Sequence, residues 1–464
     1  MSNTIITKTM MNFSKFSYIL IGASLAFSSC KKDESAKCED TTSELDLRLQ
    51  AAIDSATEGE GTAALLLPDS YDFSNIPQDP LNPITSAKVE LGKLLFHETA
   101  IGVNAKYENG IGTFSCASCH HAAAGFQANR KQGIGDGGLG FGMAGEGREP
   151  NPEYSLDSLD VQPIRTPTAM NGAYQKIMLW NGQFGATGMN EGTEDQWGVL
   201  TPIWNNQLGH EGLETQAIAG LTVHRMDCTD EMAAQLPEYG PLFDAAFPDV
   251  PADLRMSVRF AGLAIGAYER TILSNKAPWQ DYLRGNESAL TNSEKRGAEL
   301  FFNKANCYQC HNGPSLANMQ FDAIGMDNLD GPGIYGTAGA EGTNRGRGGF
   351  TGNPSDDYKF KVPQLYNLKD SPFYGHGGNF TDLRSLVEYK NSAVPENDMV
   401  PSGQLSEHFV PLDLSDAEIT DLVSFLENGL YDGDLFRYVP IELPSGNCIP
   451  NNDPVSQVDQ GCVN

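Results

Sequence analysis

The sequence predicts a mainly α-helical protein built from two similar domains with long loops. Three observations predict it. A five-residue motif occurs twice, matched elements flank both copies, and helix signals run along the chain without sustained β alternation. The motif reads Cys116-Ala-Ser-Cys119-His120 and Cys307-Tyr-Gln-Cys310-His311. C-x-x-C-H is the attachment signature of c-type haem. Its two thiols form thioethers to the porphyrin, and its His turns the imidazole onto the iron as proximal ligand. Zinc is the rival reading, since C-x-x-C is also half of a zinc site. Zinc does not require His directly after the second Cys in both copies, so two haem c groups are the expected cofactors.

The flanking elements repeat in order. Gly92-Lys-Leu-Leu95-Phe96 and Gly297-Ala-Glu-Leu300-Phe301 precede the motifs. Arg165-Thr-Pro167 and Lys361-Val-Pro363 follow them, leading to Asn171 and Asn367. Trp180-Asn-Gly182 and His376-Gly-Gly378 stand at equal distances beyond each Asn, and Leu213-x-x-Gln216 is matched by Leu383-x-x-Leu386. A repeat this long implies two related domains rather than a solenoid. Thr291 to Glu294 and Ser415 to Glu418 are capping boxes. The second leads into Ile419, Leu422, Val423 and Leu426 at helical spacing, with Gly429 as the stop. Leu254 to Leu273 also reads as helix. The Gly-rich stretches 133–147 and 331–353 read as loops. Each domain is therefore expected to be a small cytochrome-c-like unit, 71–275 and 276–440.

Composition describes a globular chain: 464 residues, 40% hydrophobic, 20% charged. A net charge of −29 argues against nucleic acid as a partner. An acidic surface would steer a basic cytochrome, though solubility explains it as well. At the N-terminus, Lys8 and Lys15 precede the apolar run Ser17 to Phe27, which is too short to remain as a membrane span. Ser28-Ser29-Cys30 after it resembles a lipoprotein signal, with Cys30 as the lipid-bearing residue. Phe27 departs from the usual Leu, and an ordinary secretory signal is the alternative. Residues 1–30 are thus assigned to a signal peptide and 31–70 to a polar tether. The expected location is outside the cytoplasm, in the periplasm or on the outer membrane. Cys448 and Cys462 in the tail 441–464 are candidates for a disulfide. Cys38 and Cys228 receive no assignment.

Over about residues 80 to 440 these motifs together resemble the bacterial di-haem cytochrome c peroxidases and the related enzymes that mature methylamine dehydrogenase. The resemblance implies peroxide reduction, with an N-terminal peroxidatic haem, a C-terminal higher-potential haem that receives electrons, and a calcium ion between them. It implies that Trp180 lies between the haems, that Gln216 sits over the peroxidatic iron, and that Asn171 holds calcium. Hydrogen peroxide and a small donor cytochrome or cupredoxin are the implied partners, with a homodimer as a candidate assembly.

Three departures from the family pattern stand out. The family's acid/base Glu is replaced by Arg225. Arg stays charged and cannot shuttle protons, although it can stabilise developing charge. The neighbouring His224 is the candidate proton carrier; a structural His is the plain alternative. No His lies between Ala122 and Pro163 to block the peroxidatic iron, and His121 adjoins the proximal ligand. The sixth ligand of the C-terminal haem is expected about 14 residues after His376, and the candidates in order are Met399, Tyr389 and Lys390. Phe184 to Gly212 is an insertion without an assigned role. A di-haem peroxidase is the leading reading. A di-haem oxidase acting on a partner protein's side chains and a non-enzymatic electron carrier are the alternatives.

Overall fold

The structure is a computed structural model that describes residues 43–462. The signal segment, Cys30 and Cys38 lie outside the described residues. Among the described residues helices dominate, and strands are limited to two antiparallel pairs of two residues each. Among the described residues no helix is long and apolar enough to cross a membrane.

Seven helices position the sites: α1 (Glu44–Ala56), α2 (Ser86–His97), α3 (Gly212–Val223), α4 (Val258–Glu269), α5 (Asn292–Phe302), α6 (Leu383–Ser392) and α7 (Asp416–Ser424). The capping boxes at Thr291 and Ser415 open α5 and α7 as the sequence predicts. The helix expected from Leu254 breaks at Met256, and α4 starts only after it.

The repeated glycines explain the helix crossings. A Cβ on Gly92 would lie 1.9 Å from the Ala264 carbonyl oxygen of α4. A Cβ on Gly297 would lie 2.1 Å from the Asp421 carbonyl oxygen of α7. In both halves the helix before the haem motif therefore meets the helix that closes the half at backbone distance. Phe96 and Phe301, four residues on, are buried in the two main apolar cores.

Asn171 and Asn367 are equivalent clamps. Both take left-handed backbone, φ 55° and 56°, which Asn tolerates better than most residues. Asn171 N–H donates to Ile272 O at 2.8 Å, and its Oδ1 accepts from Ser274 N–H at 3.1 Å. Asn367 N–H donates to Leu430 O at 3.1 Å, and its Oδ1 accepts from Asp432 N–H at 3.2 Å. Each clamp fastens the chain beyond its closing helix.

The halves also exchange contacts. Arg165 N–H donates to His376 O at 2.9 Å, and Lys361 N–H donates to Trp180 O at 2.8 Å. The basic-x-Pro segment of each half is thus tied to the Trp-Asn-Gly or His-Gly-Gly turn of the other.

Two segments correct the sequence reading. Residues 44–56 of the expected tether form α1, whose Leu49 and Ile53 are buried with the C-terminal core. Asp46 reaches Lys295 Nζ at 2.6 Å. A period of four between Leu49 and Ile53 puts both on one helix face, a signal obscured by the polar residues around them. The tail is more than a loop. Cys448 and Cys462 form the disulfide, while Leu443 joins the N-terminal core and Asp453 meets buried Arg148 at 3.2 Å. Leu435 and Tyr438 also join that core.

Candidate functional site

Two cavities open beside the two motifs. The N-terminal one is lined by Cys116, Cys119 and His120 from the motif, and by Gln216, Gly220 and His224 from α3 and its C-cap. The C-terminal one is lined by Cys310 and His311 from the motif, and by Leu386 and Lys390 from α6. Trp180 lines both. Its Nε1–H donates to Arg165 O at 2.8 Å, which fixes the indole between them. On the C-terminal side the ring meets His376 edge-on at 6.3 Å, and His376 stacks on Phe360 at 3.6 Å.

Both proximal histidines are oriented by backbone carbonyls. His120 Nδ1 bonds Phe126 O at 3.2 Å. His311 Nδ1 bonds Leu316 O at 3.2 Å and Pro363 O at 3.0 Å. A donor bond from Nδ1 leaves the Nε2 lone pair available to a metal. Burial lowers each imidazole to about 4, so both are neutral at physiological pH, as ligation requires.

The residues fit haem on a further ground. Arg165 lines the N-terminal cavity and Lys361 the C-terminal one. Both are buried, and neither has a carboxylate partner among the described residues. Arg165 donates to Arg130 O, Gln127 Oε1 and Ser371 Oγ, and Lys361 to Gln175 Oε1 and Ile177 O. Desolvation pulls Arg165 down to about 9 and Lys361 to about 7. A cofactor that brings its own carboxylates, as haem does with its propionates, would supply the missing anions. The zinc alternative finds no support: among the described residues no three His, Cys, Asp or Glu side chains converge as a metal site.

The distal face of the N-terminal cavity comes from one stripe of α3. Gln216, Gly220 and His224 follow at intervals of four, so they share a helix face. A Cβ on Gly220 would meet only Gln216 Nε2, at 3.3 Å. His224 Nδ1 lies 3.0 Å from Asp160 Oδ2, and Asp160 is buried in the same cavity. Burial alone would lower His224, but the charge and hydrogen bond of Asp160 outweigh it and the imidazole is raised. Asp160 escaped the sequence reading because it lies 64 residues from His224 in an irregular segment.

Arg225 does not join this site. It takes left-handed backbone (φ 60°) and turns away to Asp136 and the Ser158 carbonyl. Its partner Asp136 is fully buried and needs that counter-charge, so Arg225 serves the fold and not the cavity lining. His121 packs edge-on against Phe141 outside the cavity, leaving His224 as the one imidazole besides His120 among the lining residues.

Of the three sixth-ligand candidates, one lines the C-terminal cavity. Met399 is 66% exposed and lines neither cavity. Tyr389 is buried, but its hydroxyl donates to Ile324 O and its ring packs against Phe380 and Phe409. Lys390 is the candidate that faces the cavity, one turn beyond Leu386. The phase of α6 decides this, since adjacent residues point about 100° apart around a helix. Met326 also lines this cavity, and it was missed for lack of any motif around it. Asn171 is committed to protein: besides its bond to Ser274 N–H, its Nδ2 donates to Gln364 Oε1 at 3.2 Å. It does not fit an open cation site.

The chain is similar to known di-haem proteins. Residues 86–288 match the family model described as di-haem cytochrome c peroxidase. Over that stretch the chain is similar to this family. Its relatives include methylamine utilization protein MauG of Methylorubrum extorquens, 28% identical over 76% of this chain and 81% of that protein. Another is cytochrome-c peroxidase IdrP2 of Denitromonas iodatirespirans, 29% identical over 73% and 80%. Among solved structures, a MauG-like protein associated with microbial copper homeostasis superposes with TM-score 0.54 at 24% identity, covering 80% of this chain and 95% of that one; it supports the fold alone. The likeness to di-haem proteins fits two haem c groups, one for each C-x-x-C-H turn.

Proposed function

We propose that this protein is an exported peroxidase that reduces hydrogen peroxide to water with electrons from a small cytochrome or cupredoxin. One observation carries the reading: the difference between two equivalent helices. Pairing Leu213 with Leu383 pairs Gln216 with Leu386 and Gly220 with Lys390. In the N-terminal cavity the central position is bare, leaving room for a small ligand beneath Gln216. In the C-terminal cavity an amine fills it. Lys390 would hold the C-terminal iron as sixth ligand, with the Met326 thioether as the competing donor.

Bound haem supplies the iron-centred electron chemistry. The chain's own residues do the rest. Gln216 positions peroxide through its amide. His224 moves protons, with Asp160 holding its Nδ1–H so that Nε2 can accept or donate. His224 keeps 35% of its side chain exposed, which connects it to solvent. Trp180, bordering both cavities, provides the route between electron entry and use. Export as a lipoprotein anchored at Cys30 completes the proposal.

The test is absorption and EPR spectroscopy of the haem-loaded protein before and after peroxide, with turnover against a reduced small cytochrome. The expected result is one open high-spin haem that reacts quickly and one low-spin haem. Two low-spin haems inert to peroxide would overturn the reading. A second reading, oxidation of a partner protein's side chain, is favoured by the loss of the family's Glu to Arg225 and the likeness to MauG. Fast reaction with peroxide but poor turnover with small cytochromes would select it.

A further inference from the structure

The N-terminal cavity contains a second acid besides Asp160. Glu269 ends α4 and lines the cavity. It is buried, and its Oε2 has no hydrogen-bond partner. A buried carboxylate without partners is costly unless it is protonated or neutralised by a nearby charge.

The charges around it do not neutralise it. The adjacent Arg270 turns to the other side. Its Nε donates to Glu214 Oε1 at 2.8 Å, its Nη2 to Glu214 Oε2 at 2.7 Å and to Glu211 Oε2 at 3.2 Å, and its Nη1 to Pro77 O at 3.1 Å. Lys88, the next cation toward Glu214, gives its Nζ to Asn82 Oδ1 at 2.8 Å and Pro83 O at 3.0 Å. The Cys116 thiol and Tyr268 bring no positive charge, and His224 is matched by Asp160. Three carboxylates thus face one guanidinium, and Glu269 is the one without a bond to it.

We propose that Glu269 rests as a neutral carboxylic acid and gives one of the protons consumed when peroxide is reduced in this cavity. The inference rests on the peroxidase reading. One peroxide takes two electrons from the donor protein and two protons, its O–O bond breaks, and two waters form. The Glu269 O–H bond breaks to give one proton, leaving a carboxylate that solvent reprotonates before the next turnover. His224 brings the other proton from its exposed side. Burial and then the Glu214 carboxylate push Glu269 up to about 8 against the pull of Arg270. The acid is therefore neutral at physiological pH and still able to release its proton.

Infrared spectroscopy of the holoprotein tests this together with peroxide kinetics. A neutral carboxylic acid band is expected at pH 7, fading as pH rises through about 8 and missing in Glu269→Gln. The variant is expected to keep both haem spectra, lose about 10²-fold in kcat and lose the matching alkaline limb of the pH profile. An active wild type without the band, or a variant with unchanged rate and pH limb, overturns this proposal alone. A wild type that shows the band but is inert to peroxide overturns the proton-donating role together with the peroxidase reading.

Discussion

The two cavities share a plan and differ most plainly along one pair of equivalent helices, a difference that the proposed reading turns into two tasks. Both have a carbonyl-oriented proximal His, a glycine-mediated helix crossing and an Asn clamp. Above those shared parts, α3 presents Gln216, bare Gly220 and His224, whereas α6 presents Leu386 and Lys390. A polar face with a vacant centre suits a reacting ligand. An apolar face with one amine suits a closed iron that only passes electrons. On the proposed reading, the repeated frame is shared and a few side chains on one stripe divide the labour.

The most severe way to break the comparison is to swap the central positions. Gly220→Lys is sterically admitted, since only the flexible Gln216 amide stands near its Cβ. It is expected to convert the N-terminal haem to low spin and cut the peroxide reaction by at least about 10²-fold, read by EPR and stopped-flow absorbance. A high-spin, fast variant would show that Gly220 does not mark the reaction space.

Next in size is the His224–Asp160 pair. His224→Gln is expected to lower kcat by about 10²-fold or more, the usual contribution of a positioned acid or base. Asp160→Asn separates proton transfer from packing. Asp160 raises His224, so the pair's contribution to stability is full below the ordinary imidazole value of about 6.5 and is lost as pH rises through the raised folded value. The stability gap between wild type and Asp160→Asn should therefore be widest in acid and close toward alkaline pH in denaturant titrations. A gap that widens with pH would contradict the assignment.

A finer probe is Lys390→Met. Thioether ligation raises a haem potential relative to harder donors, so the C-terminal midpoint should rise by on the order of 0.1 V, a fraction of the range axial ligands control. The N-terminal midpoint should stay in place. If the C-terminal potential does not move, Met326 is the ligand.

Much of this frame was legible in the sequence because it rests on local motifs. The C-x-x-C-H turns, the paired glycines and the capping boxes each act within a few residues, and each reappears in the structure. What the sequence hid depended on phase and long-range contact. One residue of register on α6 separates Tyr389, which points at Ile324, from Lys390, which points into the cavity. Arg225 looked like an active-site replacement until the left-handed turn after α3 carried it to Asp136. Asp160 and Glu269 carry no motif at all, and only burial beside His120 singles them out.

The smallest expected effects concern what the halves share. If Asn171 and Asn367 are equivalent clamps, replacing either with Ala removes an acceptor from one backbone N–H and a donor from one or more buried oxygens. Leaving such groups without partners costs about 1–3 kcal/mol, and loss of the left-handed preference adds to it. Both variants should therefore lose similar stability in denaturant unfolding, because the bonds to Ser274 and Asp432 are matched in kind and length. The haem spectra should respond locally, Asn171→Ala disturbing the N-terminal signal and Asn367→Ala the C-terminal one. A loss confined to Asn171→Ala, restored by added calcium, would instead give that residue an ion-holding role that its twin does not share.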